Sequence, residues 1–350
     1  MSPSKKEESQ VPSSSQEKVS VLNENKAKER TKVKNTESKT LEKGKDGEKK
    51  AEKTSLPSSA QSASSSERKA EVKVEKKNAE NEKSLASLQE KEKTDTSKIQ
   101  DPFYLPEARN GAKLCFVIDD GGLNINNVRR YAELPFPITV AILPKLSHSA
   151  ACAYVVRSNG KEVILHQPMQ SVNLNLDPGP GKISPDMTYS EIQETVLENL
   201  EEVGPVKGMN NHEGSLITSD ALKIGAVLDV ADQKGIYFID SRTNVQTQAK
   251  QQALERDFAI FALGGSYTAS SEKTHPNFYD RNAPFIDNVV SRNAMLEEIK
   301  KGLEVANRDG WAIMIAHVDK SVNILPQLLM DLYPHLQKKG YIITVPGQIR

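Results

Sequence analysis

The chain is poor in the groups that cross-link a fold or carry it through a membrane. It has two cysteines in 350 residues, Cys115 and Cys152, too few for a disulfide framework or a thiolate zinc site. Their surroundings, Leu114-Cys115-Phe116-Val117 and Ala151-Cys152-Ala153-Tyr154, read as small apolar groups of a core. No run of 18 apolar residues occurs, and Met1 to Gln10 is polar with no apolar stretch behind it, so neither a membrane span nor a secretory signal is read. Phosphate loops of the G-x-x-x-x-G-K and G-x-G-x-x-G kinds are missing, as is G-x-S-x-G, which removes support from nucleotide-dependent and serine-hydrolase chemistry. Net charge is also missing, with 47 basic against 47 acidic side chains.

That neutrality joins two unlike parts. The first hundred residues hold 23 Lys plus Arg and 18 Asp plus Glu, no aromatic residue, and two of the 19 glycines. A stretch so charged and so short of large apolar groups cannot bury enough surface to offset the entropy of ordering its backbone. Residues 1–105 therefore read as a disordered Lys/Glu/Ser-rich tail or tether. The remaining 250 residues carry about −5, which argues against a nucleic-acid partner, since phosphate binding needs a basic face. Composition changes at Asp101-Pro102-Phe103-Tyr104-Leu105-Pro106, and residues 111–348 have the size of one α/β domain.

Within that domain a short apolar run, a turn and a helix-length amphipathic stretch recur, the pattern of successive βα units on a parallel sheet. The runs read as strands are 114–118, 138–143, 162–165, 207–209, 236–239, 258–261, 311–316 and 341–345, enough for a barrel. Thr188 and Glu191 form a capping box, and Gly235 and Gly310 stand where helices end. Residues 167–187 have no period and contain Asp177-Pro178-Gly179-Pro180-Gly181, as a loop over a site would.

Polar residues follow several of these runs: Asp119-Asp120, His166, Asn210-Asn211-His212, Asp240-Ser241-Arg242 and His317. In parallel sheets and barrels the carboxyl ends of the strands share one face, so positions about 200 residues apart are expected to converge there. Asp, His and His from three strands make an open nitrogen and oxygen ligand set for a divalent ion of the zinc type. One carboxylate of the Asp119-Asp120 pair can bind the ion while its neighbour acts as a base on activated water. Metal-assisted hydrolysis is the chemistry this inventory leaves.

Val117-Ile118-Asp119-Asp120-Gly121-Gly122, Leu165-His166-Gln167-Pro168-Met169, Gly208-Met209-Asn210-Asn211-His212-Glu213-Gly214-Ser215, Phe238-Ile239-Asp240-Ser241-Arg242-Thr243, Phe285-Ile286-Asp287-Asn288 and Ala316-His317 resemble, in order and spacing, the divergent polysaccharide deacetylases of bacteria. The resemblance implies a distorted (β/α) barrel and deacetylation of an N- or O-acetylated carbohydrate polymer, with the bacterial cell envelope or periplasm as setting. It implies Asp119 as general base, Asp120 and His166 as metal ligands, and His317 as the acid that protonates the leaving amine. The H-x-x-x-H motif of the wider superfamily is broken, because Gln170 stands four residues after His166. His212, at another strand end, is the expected substitute ligand, and zinc the expected ion.

Asp240 is expected to position His317, and Arg242 to hold a carboxylate by two parallel hydrogen bonds. Asn210, Asn211, Met169 and Ser241 are expected to meet substrate. Two other readings stay open: a catalytically silent saccharide-binding or scaffold protein of the envelope with the same fold, and a metal hydrolase of another acyl substrate.

Overall fold

The computed structural model describes residues 101–262, 265–267 and 277–349. The tail reading over 1–105 lies outside the described residues except for its last five. In those five, the Asp101 carboxylate accepts the backbone N–H groups of Phe103 and Leu105, and Leu105 is buried.

Ten strands are present among the described residues: β1 (Lys113–Gly121), β2 (Thr139–Ile142), β3 (Glu162–Met169), β4 (Gly208–Glu213), β5 (Tyr237–Asp240), β6 (Ala259–Ala262), β7 (Gly265–Tyr267), β8 (Asn277–Asp280), β9 (Trp311–His317) and β10 (Ile342–Thr344). The helices are α1 (Ile125–Ala132), α2 (Ser149–Ser158), α3 (Tyr189–Val203), α4 (Ala221–Lys234), α5 (Ala249–Glu255), α6 (Arg292–Asp309), α7 (Val318–Ser321) and α8 (Leu325–Lys338). The strands form one curled sheet in the order β9-β1-β2-β3-β4-β5-β8-β6, with β10 also on β1 and β7 on β6. Apart from the antiparallel β6–β7 pair, the strand pairings are parallel. This is an α/β fold built as a distorted, incompletely closed (β/α) barrel.

The closing edge shows where the distortion lies. The chain leaving β8 runs onto β9 with little ladder, and the Asn282 side chain stands in for one. Its amide accepts from Ile313 N at 2.9 Å and donates to Trp311 O at 3.0 Å, and Ile286 N then donates to Ile315 O.

Strand pleating sorts the apolar residues into two layers. Cys115 and Val117 of β1, Ile164 of β3, Ile239 of β5, Tyr279 of β8 and Trp311, Ile313 and Ile315 of β9 fill the inside. The alternate residues, such as Phe116, Leu165, Phe238, Phe278 and Met314, meet the helices in the larger outer core. Helix α6 lies so close on β9 that a Cβ at Gly302 would stand 2.2 Å from the Met314 sulfur. The capping box at Thr188 and Glu191 opens α3, and Gly235 and Gly310 end α4 and α6 in the left-handed conformation.

All eight runs read from sequence are strands, with β3 running four residues further than expected, to Met169. Strands β7 and β8 escaped that reading. Each is three or four residues long, and β8 offers only Phe278-Tyr279 between polar neighbours, too little for a period of two to register.

Candidate active site and metal centre

The inside-facing rows of the strands end in polar groups. Asp119 continues the row of Cys115 and Val117, His166 that of Ile164, Ser241 that of Ile239, and His317 that of Trp311, Ile313 and Ile315. Parallel register then sets neighbours: Asp119 lies beside His317, and His166 beside Asn210.

Consecutive residues on a strand face opposite ways, so Asp120 should point out of the barrel. A register shift in the β1–β2 ladder between Ile118 and Gly121, with Asp120 at φ 64°, breaks that alternation. The bulge turns the second carboxylate to the same side as the first. Asp is among the few non-glycine residues that adopt this conformation readily. Gly121 completes the bend, because a Cβ there would meet the Ile142 side chain at 2.5 Å.

Three donor atoms converge at this point. Asp120 Oδ1 lies 3.2 Å from His166 Nε2 and 3.1 Å from His212 Nδ1, and the two ring nitrogens are 3.0 Å apart. Asp120 Oδ1 is buried and has no hydrogen-bond partner. A buried carboxylate oxygen without a donor, facing two imidazole nitrogens, fits a divalent cation of the zinc type, for which one carboxylate and two imidazoles are suitable ligands. Asp120, His166 and His212 would hold it.

The surroundings fix how these groups present themselves. Asn210 donates through Nδ2 to Asp119 Oδ1 at 2.9 Å and receives His166 Nδ1 on its Oδ1 at 2.7 Å. In the neutral ring, the amide orientation demanded by the carboxylate keeps the proton of His166 on Nδ1 and leaves the Nε2 lone pair toward Asp120 and His212. Burial raises the Asp119 carboxyl above the ordinary carboxylate range, against the lowering pull of His166 and His317. For Asp120 burial works upward too, but His166 and His212 overcome it and hold this carboxyl well below that range. His166 is pushed up to about 9, Asp119 and Asp120 outweighing the opposite effect of burial.

On the other flank, Asp287 accepts the backbone N–H of His317 at 2.8 Å, and its two oxygens lie 3.1 and 3.2 Å from His317 Nδ1. Burial disfavours the charged imidazole, yet this carboxylate and the nearby Asp119 raise His317 above its ordinary value. Phe285 stacks on the His317 ring at 5.5 Å, and the Arg281 guanidinium lies 4.0 Å from the Phe285 ring centre. The arrangement sets a carboxylate, Asp119, and an imidazole, His317, beside the cluster of Asp120, His166 and His212.

Residues 116–263 match the family model for divergent polysaccharide deacetylases. That stretch resembles the family. The chain is also 26% identical over 226 residues to the uncharacterised Escherichia coli K12 protein YibQ, an alignment covering 64% of each chain. An uncharacterised Haemophilus influenzae protein is 27% identical over 230 residues, 65% of this chain and 75% of that one. Among solved structures, uncharacterised ATU2773 of Agrobacterium tumefaciens C58 superposes with a TM-score of 0.57 at 16% identity, covering 68% of this chain and 88% of that one. That likeness supports the barrel fold. The fold and the family match together point to a carbohydrate deacetylase-like hydrolase.

Several sequence expectations for the site need correction. Asp240 does not position His317, a place taken by Asp287. It shares the outward parity of Phe238, and its carboxylate receives Thr247 Oγ1 at 2.8 Å and Arg242 N at 2.7 Å. Arg242 does not clamp a carboxylate with two bonds; it makes a single contact of 3.3 Å to Asp280, which also faces outward. Asn211 is not free for a substrate hydroxyl, because its amide accepts from Ser241 N and donates to Glu213 O, joining the ends of β4 and β5. Met169 is wholly buried in the outer core. Asn210 lies in the centre, but as the link between Asp119 and His166. The Ser241 hydroxyl stands beside it at 3.4 Å.

Sequence reasoning assigned no role to Arg281, Phe285 or Asp287. Arg281 and Phe285 follow β8, whose tip was never searched because the strand was not read. Phe285 and Asp287 both stand in a string that carries the family resemblance, but the apolar run before Asp287 contains Pro284 and is too short to register as a strand.

Proposed function

We propose that the domain is a metal-dependent deacetylase of N- or O-acetylated carbohydrate, the family suggesting a polymer of the cell envelope. The observation that carries this reading is Asp120 Oδ1, buried, without a hydrogen bond, and within 3.2 Å of two imidazole nitrogens. A divalent cation, most simply zinc, held by Asp120, His166 and His212 would supply Lewis acidity to water and to the acyl carbonyl. Asp119, with its raised carboxyl, accepts a proton from the attacking water. Asp287 favours the charged form of His317, which gives its Nε2 proton to the departing sugar atom. Asn210 keeps Asp119 and His166 in register, so that base and ligand are set by one amide.

The test is elemental analysis of the full chain beside Asp120→Ala and His166→Ala, with acetate release from an N-acetylated oligosaccharide followed for each and for Asp119→Asn. One equivalent of transition metal in the wild type, lost in the two ligand variants, together with acetate release lost in all three, is expected. Equal metal content in wild type and ligand variants overturns the reading.

A further inference from the structure

Around the candidate centre the βα loops carry exposed aliphatic side chains. Leu123 follows Asp120 by three residues. Val172, Leu174 and Leu176 lie in the loop after β3, and Val289 and Val290 follow Asp287. Val245, 89% exposed, sits in the loop after β5. Hydrogen bonds tie these loops together: Val172 N donates to Ser215 Oγ, and Asn244 Nδ2 donates to Ser215 O, with Ser215 three residues beyond His212.

Seven of the thirteen large apolar residues exposed among the described residues are these loop aliphatics, so the exposure is concentrated on the catalytic face. Isolated exposed aliphatics need no explanation, but a cluster around a polar centre marks a binding surface. The loops also hold little charge near these positions, as in Val172-Asn173-Leu174-Asn175-Leu176 and Asn288-Val289-Val290-Ser291. The exposed aromatics Tyr104, Tyr154 and Tyr189 lie on the leading segment, on α2 and at the start of α3. Phe285, the aromatic beside His317, is half-buried and already engaged by that ring and by Arg281. A purely polar sugar chain gains little from such a rim.

We propose that the site takes an amphiphilic substrate, an acylated sugar that also carries an aliphatic chain, with the chain laid on these loops while the acyl group reaches Asp120, His166 and His212. The inference deepens the deacetylase reading and rests on it for the acyl group. The occupant is the substrate itself because the loops that carry these aliphatics also carry the centre: Leu123 and Val289 are within three residues of Asp120 and Asp287, and Val172 N is bonded to Ser215, three residues beyond His212.

Calorimetric titration of the full chain with the methyl and octyl glycosides of N-acetylglucosamine, the octyl compound kept below its micelle concentration, tests this directly. Acetate release is measured for both. The octyl glycoside is expected to bind at least about tenfold more tightly, which corresponds to burying about two methylenes. Leu174→Asn combined with Val289→Asn should cut that preference to about threefold or less, without lowering the thermal midpoint.

Equal affinity for the two glycosides overturns the inference whether or not acetate appears. A chain-length preference without acetate from either glycoside supports the aliphatic surface and overturns the deacetylase reading, so the two failures are distinct. Sedimentation gives a further outcome: a dimer that Leu174→Asn splits, with octyl affinity unchanged, makes the rim an interface between copies and overturns the inference.

Discussion

The same strands carry a buried polar group at each end of the barrel, and the two groups are built differently. At the amino ends, Glu162 of β3 accepts the Thr139 hydroxyl at 3.0 Å and the Tyr237 hydroxyl at 2.5 Å, so its Oε1 is met from β2 and β5. At the carboxyl ends, His166 of the same β3 faces Asp120 Oδ1, which lacks any donor. The lower network closes on itself and serves the fold. The upper one leaves a buried acceptor open, a cost in stability that is reasonable only where something else completes it. Asp120, Glu213 and Arg242 hold positive φ at the carboxyl-terminal strand tips. Residues at the tips answer to a ligand, whereas residues at the strand starts answer to their neighbours.

The sharpest way to break this comparison is to remove a ligand from the open end. Asp120→Ala should abolish stoichiometric metal and lower acetate release by about 10³-fold or more, with little loss of fold stability, read by elemental analysis and thermal melting. A variant that melts far below the wild type while keeping its metal would make the upper cluster structural, like the lower one. Next in size is Asn210→Ala, which leaves every ligand in place but releases the tautomer of His166 and the orientation of Asp119. A fall of about 10- to 100-fold in metal affinity or turnover is expected. Unchanged values for both would show that the amide does not set the site.

How far the sequence foretold this division depends on what each residue's local pattern reveals. The strands from Leu114 to Asp119 and from Trp311 to His317 were legible, because a continuous apolar run ending in a polar group is a local signal. So was the meeting of Asp120, His166 and His212, through the convergence of strand ends. What could not be read was parity at a tip: Asp240 and Ser241 are adjacent, and only the register of β5 shows that Ser241 faces inward. The bulge that reverses parity at Asp120 is equally silent in sequence. Asp287 was invisible as the partner of His317 because the two are brought together by a single backbone contact between Ile286 and Ile315, with no strand to announce it.

Asp240 offers a pH test of its outward placement. Burial pushes its carboxyl up to about 6, and Asp280 adds to this, while Thr247 and the Arg242 N–H pull the other way. A buried acid whose folded value lies above its unfolded one binds its proton more tightly in the folded state. Its contribution is therefore fully present below about pH 4 and is lost as pH rises through about 6. Replacing it with Asn removes that dependence. Relative to wild type, Asp240→Asn should gain up to about 3 kcal/mol of stability between pH 4 and pH 7, measured by denaturant titration at each pH. A difference that stays flat across this range would mean that Asp240 is paired as an ion, as the expected catalytic role would have required.

The smallest effect belongs to the closed end. Tyr237→Phe removes one of the two donors to Glu162 Oε1 while keeping the ring that packs edge-on against Tyr279 at 5.6 Å. Burial already holds the Glu162 carboxyl above its ordinary value, opposed by Tyr237 and Thr139. Without the tyrosine hydroxyl that carboxyl rises further, and a loss of about 1 to 2 kcal/mol of stability is expected from the weakened acceptor. Metal content and turnover should not change, since the pair lies at the opposite end of β3 from His166. A variant that keeps its stability but loses turnover would place the lower network in communication with the upper one, and the contrast between the two ends of the barrel would no longer hold.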